Sequence, residues 1–278
     1  MRELVAGRPR VELAAALLGA ALLALYTPVL RALVLVWTDV PYYSYGFLVP
    51  IFSAFLAHDA REELARRPLA PSRSGIGLLV AGLALLLVGL RADSLTLQTL
   101  SLPLSLAGAL VLVYGPARTR VLAFPLAFLV FMAPLPDGVL PALSLPLQHA
   151  AAVAGEWLLW LIGVPVVRDG LYVTVPSVRL HITEACNGLR FLLAMVVIGV
   201  AFAGTTQTGW RRRALVVGAA IAAALVGNWL RVAGTGMMAQ LYGHEAAEGF
   251  YHVAWGKAIY AAMLVPFALL VMTLRRQS

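Results

Sequence analysis

Apolar runs at residues 11–37, 75–90, 95–114, 189–203, 214–233 and 253–274 alternate with short arginine clusters. A helix needs roughly 20 apolar residues to cross the hydrocarbon core of a bilayer, and these runs approach or exceed that length. Charged residues make up only 12% of the chain. Soluble domains carry about 25%, so too little polar surface exists for water to cover. The pattern therefore predicts an all-α polytopic membrane protein. Two shorter runs, 46–58 and 121–135, bring the expected number of transmembrane helices to about eight. The net charge of +8 does not mark a nucleic-acid binder. Its basic residues sit between apolar runs, as the positive-inside rule requires of a membrane protein.

The same rule sets the expected topology. Arg2, Arg8 and Arg10 lead the first run, which reads as a retained signal anchor with a cytoplasmic amino terminus. The clusters Arg61 to Arg73, Arg118 to Arg120, Arg211 to Arg213 and Arg275 to Arg276 also fall inside, which puts the carboxy terminus there too. Residues 139–164 are long enough to cross but carry Gln148, His149 and Glu156. If they crossed, the triple arginine would lie outside, so they are expected as an interfacial or re-entrant helix on the outer side. Between 166 and 183 the period drops to two: Val173 and Val175 alternate with Tyr172 and Thr174, and Leu180 and Ile182 with Arg179 and His181. Asp169-Gly170 and Pro176-Ser177 mark turns, giving a small external β-element. No repeat or linker divides the chain, so residues 1–278 are expected to form one domain.

That β-element leads into Glu184-Ala185-Cys186-Asn187-Gly188-Leu189-Arg190, which holds the single cysteine. A lone cysteine excludes an internal disulfide and a cysteine-rich metal site. Cys186 lies 23 residues before Gly209 in the basic turn, and Arg231 lies 22 residues after it. Two helical arms of equal rise return to one height, so thiol and guanidinium are expected level. His252 opens the last run from the same face. Alone, a cysteine in a membrane helix is more often a packing residue, whereas an arginine at membrane depth is functional by default. Together the three side chains supply a nucleophile favoured as thiolate by nearby cations, an oxyanion partner and a general base. Glu184, Asn187, Arg190 and Asn228 are the supporting candidates. Arg190 is read as a group that binds the carboxyl side of a substrate or tunes the thiol, or else as an ion pair with Glu184 or Glu156, and Asn228 as hydrogen-bonding between helices. No His-Glu-x-x-His pattern or other metal-ligand spacing occurs, so no metal and no cofactor are expected.

The Glu184 to Arg190 block, Asn228-Trp229-Leu230-Arg231 and Phe250-Tyr251-His252 closing with Gly256 resemble the three signature blocks of the exosortase and archaeosortase family. Tyr43-Ser44-Tyr45-Gly46-Phe47-Leu48-Val49-Pro50 is similar to an upstream block. The resemblance implies a membrane-embedded cysteine transpeptidase of the bacterial inner membrane, with its active site facing outward. Its partners would be exported proteins that end in a sorting tail: a short motif, a transmembrane helix and a basic end. Cleavage would pass through an acyl-enzyme thioester to an acceptor nucleophile. The family's nucleophile, arginine and histidine fall on Cys186, Arg231 and His252. Asn187 stands where serine is usual and Tyr45 where histidine is common, which leaves the subfamily and the tail motif open. Two rival readings are a transporter or flippase with a polar pathway, indifferent to the thiol, and a membrane acyltransferase with a lipid donor.

Overall fold

The computed structural model describes residues 2–243 and 249–276, with side chains at 11–243 and 254–275. The chain packs as two compact units, Met1–Pro136 and Asp137–Ser278.

The first unit contains α1 (Arg2–Asp39), α2 (Leu48–Asp59), α3 (Arg61–Arg66), α4 (Ser74–Arg91), α5 (Leu95–Tyr114), α6 (Pro116–Val121) and α7 (Ala123–Phe128). Two 3-10 turns, Pro41–Phe47 and Leu129–Met132, flank α2 and α7. Helices α4 and α5 form a hairpin whose return is capped by Ser94, which accepts the Leu97 N–H at 3.4 Å. The Tyr26 hydroxyl of α1 bonds two serines of α5, Ser101 Oγ at 2.8 Å and Ser105 Oγ at 2.9 Å. All three side chains are fully buried.

Among the described residues six helices are long and apolar enough to cross a membrane: Val11–Asp39, Ser74–Arg91, Leu95–Tyr114, Glu184–Thr206, Trp210–Tyr242 and Ala254–Arg275. The runs expected at 46–58 and 121–135 instead form the 12-residue α2 and the short apolar stretch Ala123–Met132. At about 1.5 Å per residue neither spans a core of roughly 30 Å as a straight helix. They nevertheless run side by side over a long distance. The Leu135 N–H donates to the Tyr43 hydroxyl at 3.0 Å, Ser53 Oγ to the Pro125 carbonyl at 2.8 Å, and Arg118 Nε to the Arg67 carbonyl at 3.1 Å. Trp37, near the end of α1, donates to the Met132 carbonyl at 3.3 Å. At its other end α1 shares a groove with Pro71 and Leu112 through Val11 and Ala14. The two broken segments thus lie alongside α1, and the 3-10 turns, rising about 2.0 Å per residue, add length to the short helices.

In the second unit α8 (Val139–Leu161) precedes the strands β1 (Val167–Asp169), β2 (Tyr172–Val175) and β3 (Val178–His181). These make an antiparallel sheet in the order β1-β2-β3, with Asp169 paired to Tyr172 and Val175 to Val178 across the two tight turns. The alternation in the sequence is realised. Val173 and Val175 are buried in a cluster with Ala151, Ala152 and Leu159 of α8. His181 stacks on Tyr172 on the outer face, with ring centroids 4.6 Å apart, and the Arg179 guanidinium lies 4.2 Å from the same ring.

Helix α8 is apolar but is not among the six spanning candidates. Its buried positions Ser144, Gln148, Ala151, Ala152, Gly155 and Leu159 repeat at helical spacing, while Trp157 and Trp160 are exposed. Helices α9 (Leu189–Thr206), α10 (Trp210–Tyr242) and α11 (Gly249–Arg276) complete the unit. They share a second apolar cluster around Met195, Val216, Ala220, Ala224, Phe267 and Val271. At 33 residues α10 is much longer than the expected run. Its far end passes beneath the sheet, where Ser177 Oγ donates to the Ala239 carbonyl at 3.1 Å.

Candidate active site

Cys186 closes a single 3-10 turn, Glu184–Cys186, between β3 and α9. The turn is built from its own backbone, with the Cys186 N–H on the Thr183 carbonyl at 2.9 Å and the Asn187 N–H on the Glu184 carbonyl at 3.3 Å. Gly188 then adopts φ +74° to start α9. A side chain there would be strained, and its Cβ would also meet the Asn228 amide carbon at 2.5 Å. The glycine therefore lets α10 approach the cysteine turn closely.

Asn187 anchors the turn from below. Its Nδ2 donates to Ser144 Oγ of α8 at 2.8 Å, and its Oδ1 accepts the Leu189 N–H at 2.8 Å, satisfying a donor of the first turn of α9. Gln148 Nε2 donates to the same Ser144 Oγ at 2.9 Å, and all three residues are buried. Asn228 anchors it from the side, donating from Nδ2 to the Cys186 carbonyl at 2.8 Å. Asn228 is 2% exposed, and its Oδ1 has no hydrogen-bond partner among the described residues. An unsatisfied buried acceptor is costly and uncommon in folded proteins. It lies on the residue that holds the cysteine backbone.

Arg231, one turn further along α10, reaches the same loop. Its Nη1 donates to the Ala185 carbonyl at 3.2 Å and to the Tyr260 hydroxyl of α11 at 3.1 Å. Its Nε passes α11 at Gly256, where a Cβ would sit 3.2 Å away. The half-buried guanidinium thus bonds the residue next to the half-buried thiol. This is the common height that counting along the two helical arms anticipates.

The other expected residues are placed unevenly. His252 falls in the first turn of α11, one turn before Gly256, and its side chain lies outside the described residues. Glu184 and Arg190 are exposed on either side of Cys186. Glu156, weighed as a partner for Arg190, bonds Arg168 at 2.8 Å across to β1. Among the described residues no group of three or more His, Cys, Asp or Glu side chains could hold a metal. Two contributors escape sequence reasoning, Ser144 and Tyr260. For Tyr260 a signal exists, since positions 252, 256 and 260 recur at four-residue spacing on α11.

Chemically, the arrangement presents a thiol on a braced turn, a cation bonded to the backbone of that turn and apolar surroundings that strengthen electrostatic attraction. Residues 37–269, a stretch that runs through both units, match the family described as transmembrane exosortase (Exosortase_EpsH). No curated protein and no solved structure matches the chain. The chain belongs to the transmembrane exosortases, a family of membrane-embedded cysteine transpeptidases.

Proposed function

We propose that this protein removes the carboxy-terminal sorting tail of exported proteins on the outer face of the bacterial inner membrane. Cys186 is the nucleophile, Arg231 the oxyanion partner and His252 the proton carrier. The thiolate of Cys186 adds to the scissile carbonyl, and Arg231 stabilises the charge that forms on its oxygen. Collapse expels the tail as an amine, to which His252 gives the proton it took from the thiol. A thioester between Cys186 and the new carboxyl end remains. An acceptor with a lone pair, water or an amine, attacks that thioester and restores the thiol. Glu184 and Arg190, exposed beside the turn, are the groups assigned to the tail motif. The basic clusters orient both termini toward the cytoplasm.

The observation that supports this reading most is the bond from Arg231 to the Ala185 carbonyl, 46 positions away in sequence and next to the only cysteine. The test is co-expression with an exported protein that ends in a short motif, an apolar helix and a basic stretch. The wild-type protein releases the tail and forms a mass-detectable thioester at Cys186. Cys186→Ala gives neither product while inserting normally in the membrane. Wild-type tail release by Cys186→Ala would refute the nucleophile assignment.

A further inference from the structure

We propose that Tyr260 is a positioning residue for Arg231, fixing the plane in which the guanidinium meets the reacting carbonyl. The proposal deepens the reading of Arg231 given above and rests on it. The Tyr260 ring is held by Phe191 of α9, with centroids 3.9 Å apart and planes 21° from parallel. Its hydroxyl takes a hydrogen bond from Arg231 Nη1 at 3.1 Å, and the same nitrogen donates to the Ala185 carbonyl at 3.2 Å. A terminal guanidinium nitrogen carries two hydrogens, so these two acceptors use both.

Because a guanidinium is planar, fixing one terminal nitrogen in two directions fixes the whole fork. Gly256 adds a third constraint by letting α11 lie close to Nε. The arginine sits on a long flexible stem, and the tyrosine removes the freedom that would let it swing out of register. The guanidinium carbon lies 5.9 Å from the Tyr260 ring centroid, so a phenylalanine at this position keeps both the stack and the ring's attraction for the cation. Only the oxygen that orients the fork is lost. The sorting tail is held by its helix and motif, so losing that oxygen lowers turnover without weakening tail binding.

The test uses the full-length protein and two independent measurements on Tyr260→Phe. In tail cleavage, kcat falls about tenfold while KM stays within about twofold, the scale of one hydrogen bond to a charged group. The second measurement needs no sorting activity, because the chain has one cysteine. Cys186 is alkylated with iodoacetate and, separately, with iodoacetamide, and the two rates are compared by mass spectrometry. A fixed guanidinium favours the anionic reagent, so the rate ratio in Tyr260→Phe falls from the wild-type value part of the way toward that of Arg231→Gln. A ratio unchanged from wild type overturns the proposal, whatever the cleavage assay gives. If Cys186→Ala still cleaves the tail, the assigned function falls and the alkylation ratio alone decides the role of Tyr260.

Discussion

The units Met1–Pro136 and Asp137–Ser278 both bury polar side chains among apolar helices, but with different groups. In the first unit they are neutral hydroxyls that satisfy one another or a nearby carbonyl. Tyr26 bonds Ser101 and Ser105, Thr99 and Thr119 turn back to carbonyls of the preceding turn, and Ser53 reaches Pro125. In the second unit the amides of Asn187 and Asn228 and the Arg231 cation meet at one turn, a further buried amide, Gln207, lies at the end of α9, and the side-chain oxygens of Asn228 and Gln207 have no hydrogen-bond partner among the described residues. Satisfied hydroxyls join helices, and they are worth little each, because a membrane helix separated from its partner finds others. A cation and an orphaned acceptor held at the backbone of the cysteine turn are worse for stability than an apolar filling would be. On the proposed function, that cost falls at the turn that carries the nucleophile.

Substitutions sharpen this contrast. Arg231→Gln keeps a side chain able to hydrogen-bond but removes the charge, and is expected to slow tail cleavage about 100- to 1,000-fold, the usual effect of losing one oxyanion donor. The mutant's thermal unfolding in detergent stays close to wild type, so kinetics and melting together separate a chemical role from a structural one. Asn187→Ala comes next. It strips Ser144 of one partner and the Leu189 N–H of its cap, and is expected to destabilise the second unit by about 1–3 kcal/mol. Hydrogen exchange at residues 184–192 should rise before that of the rest of α9. Tyr26→Phe is the smallest. Ser101 retains its bond to the Gln98 carbonyl at 2.6 Å while Ser105 loses its bond to the tyrosine, so the cost is about 0.6 kcal/mol per bond lost, and cleavage per folded molecule is unchanged. A large loss of activity in Tyr26→Phe would erase the distinction drawn between the units.

Much of this arrangement is legible in the order of residues alone. The period-two pattern at 171–182 identifies the sheet because Val173 and Val175 must face one way and Tyr172 and Thr174 the other. The equal arms either side of Gly209 place Arg231 beside Cys186 because helical rise is nearly constant. What stays hidden is contact between segments far apart in the chain. Nothing local in Ser144 distinguishes the anchor of Asn187 from any serine on a membrane helix. For Tyr260 the four-residue spacing from His252 and Gly256 places it on their face of α11, but its contacts with Phe191 and Arg231 are not written in that spacing. The apolar runs at 46–58 and 121–135 are visible as hydropathy, but their division into short helices and 3-10 turns depends on hydrogen bonds such as Leu135 to Tyr43. Periodicity carries no information about those bonds.

Helix α10 carries Arg231 and, eight residues further on, the carbonyl of Ala239 that holds Ser177 at the sheet's β2–β3 turn. The spacing between guanidinium and sheet is therefore about 12 Å of unbroken helix. Bilayers differ by several ångströms in thickness, and spanning proteins adjust to them by tilting. A rod that bears both parts tilts them together. The cysteine turn, which follows directly from the sheet, is therefore expected to stay aligned with the arginine in thin and thick lipid alike.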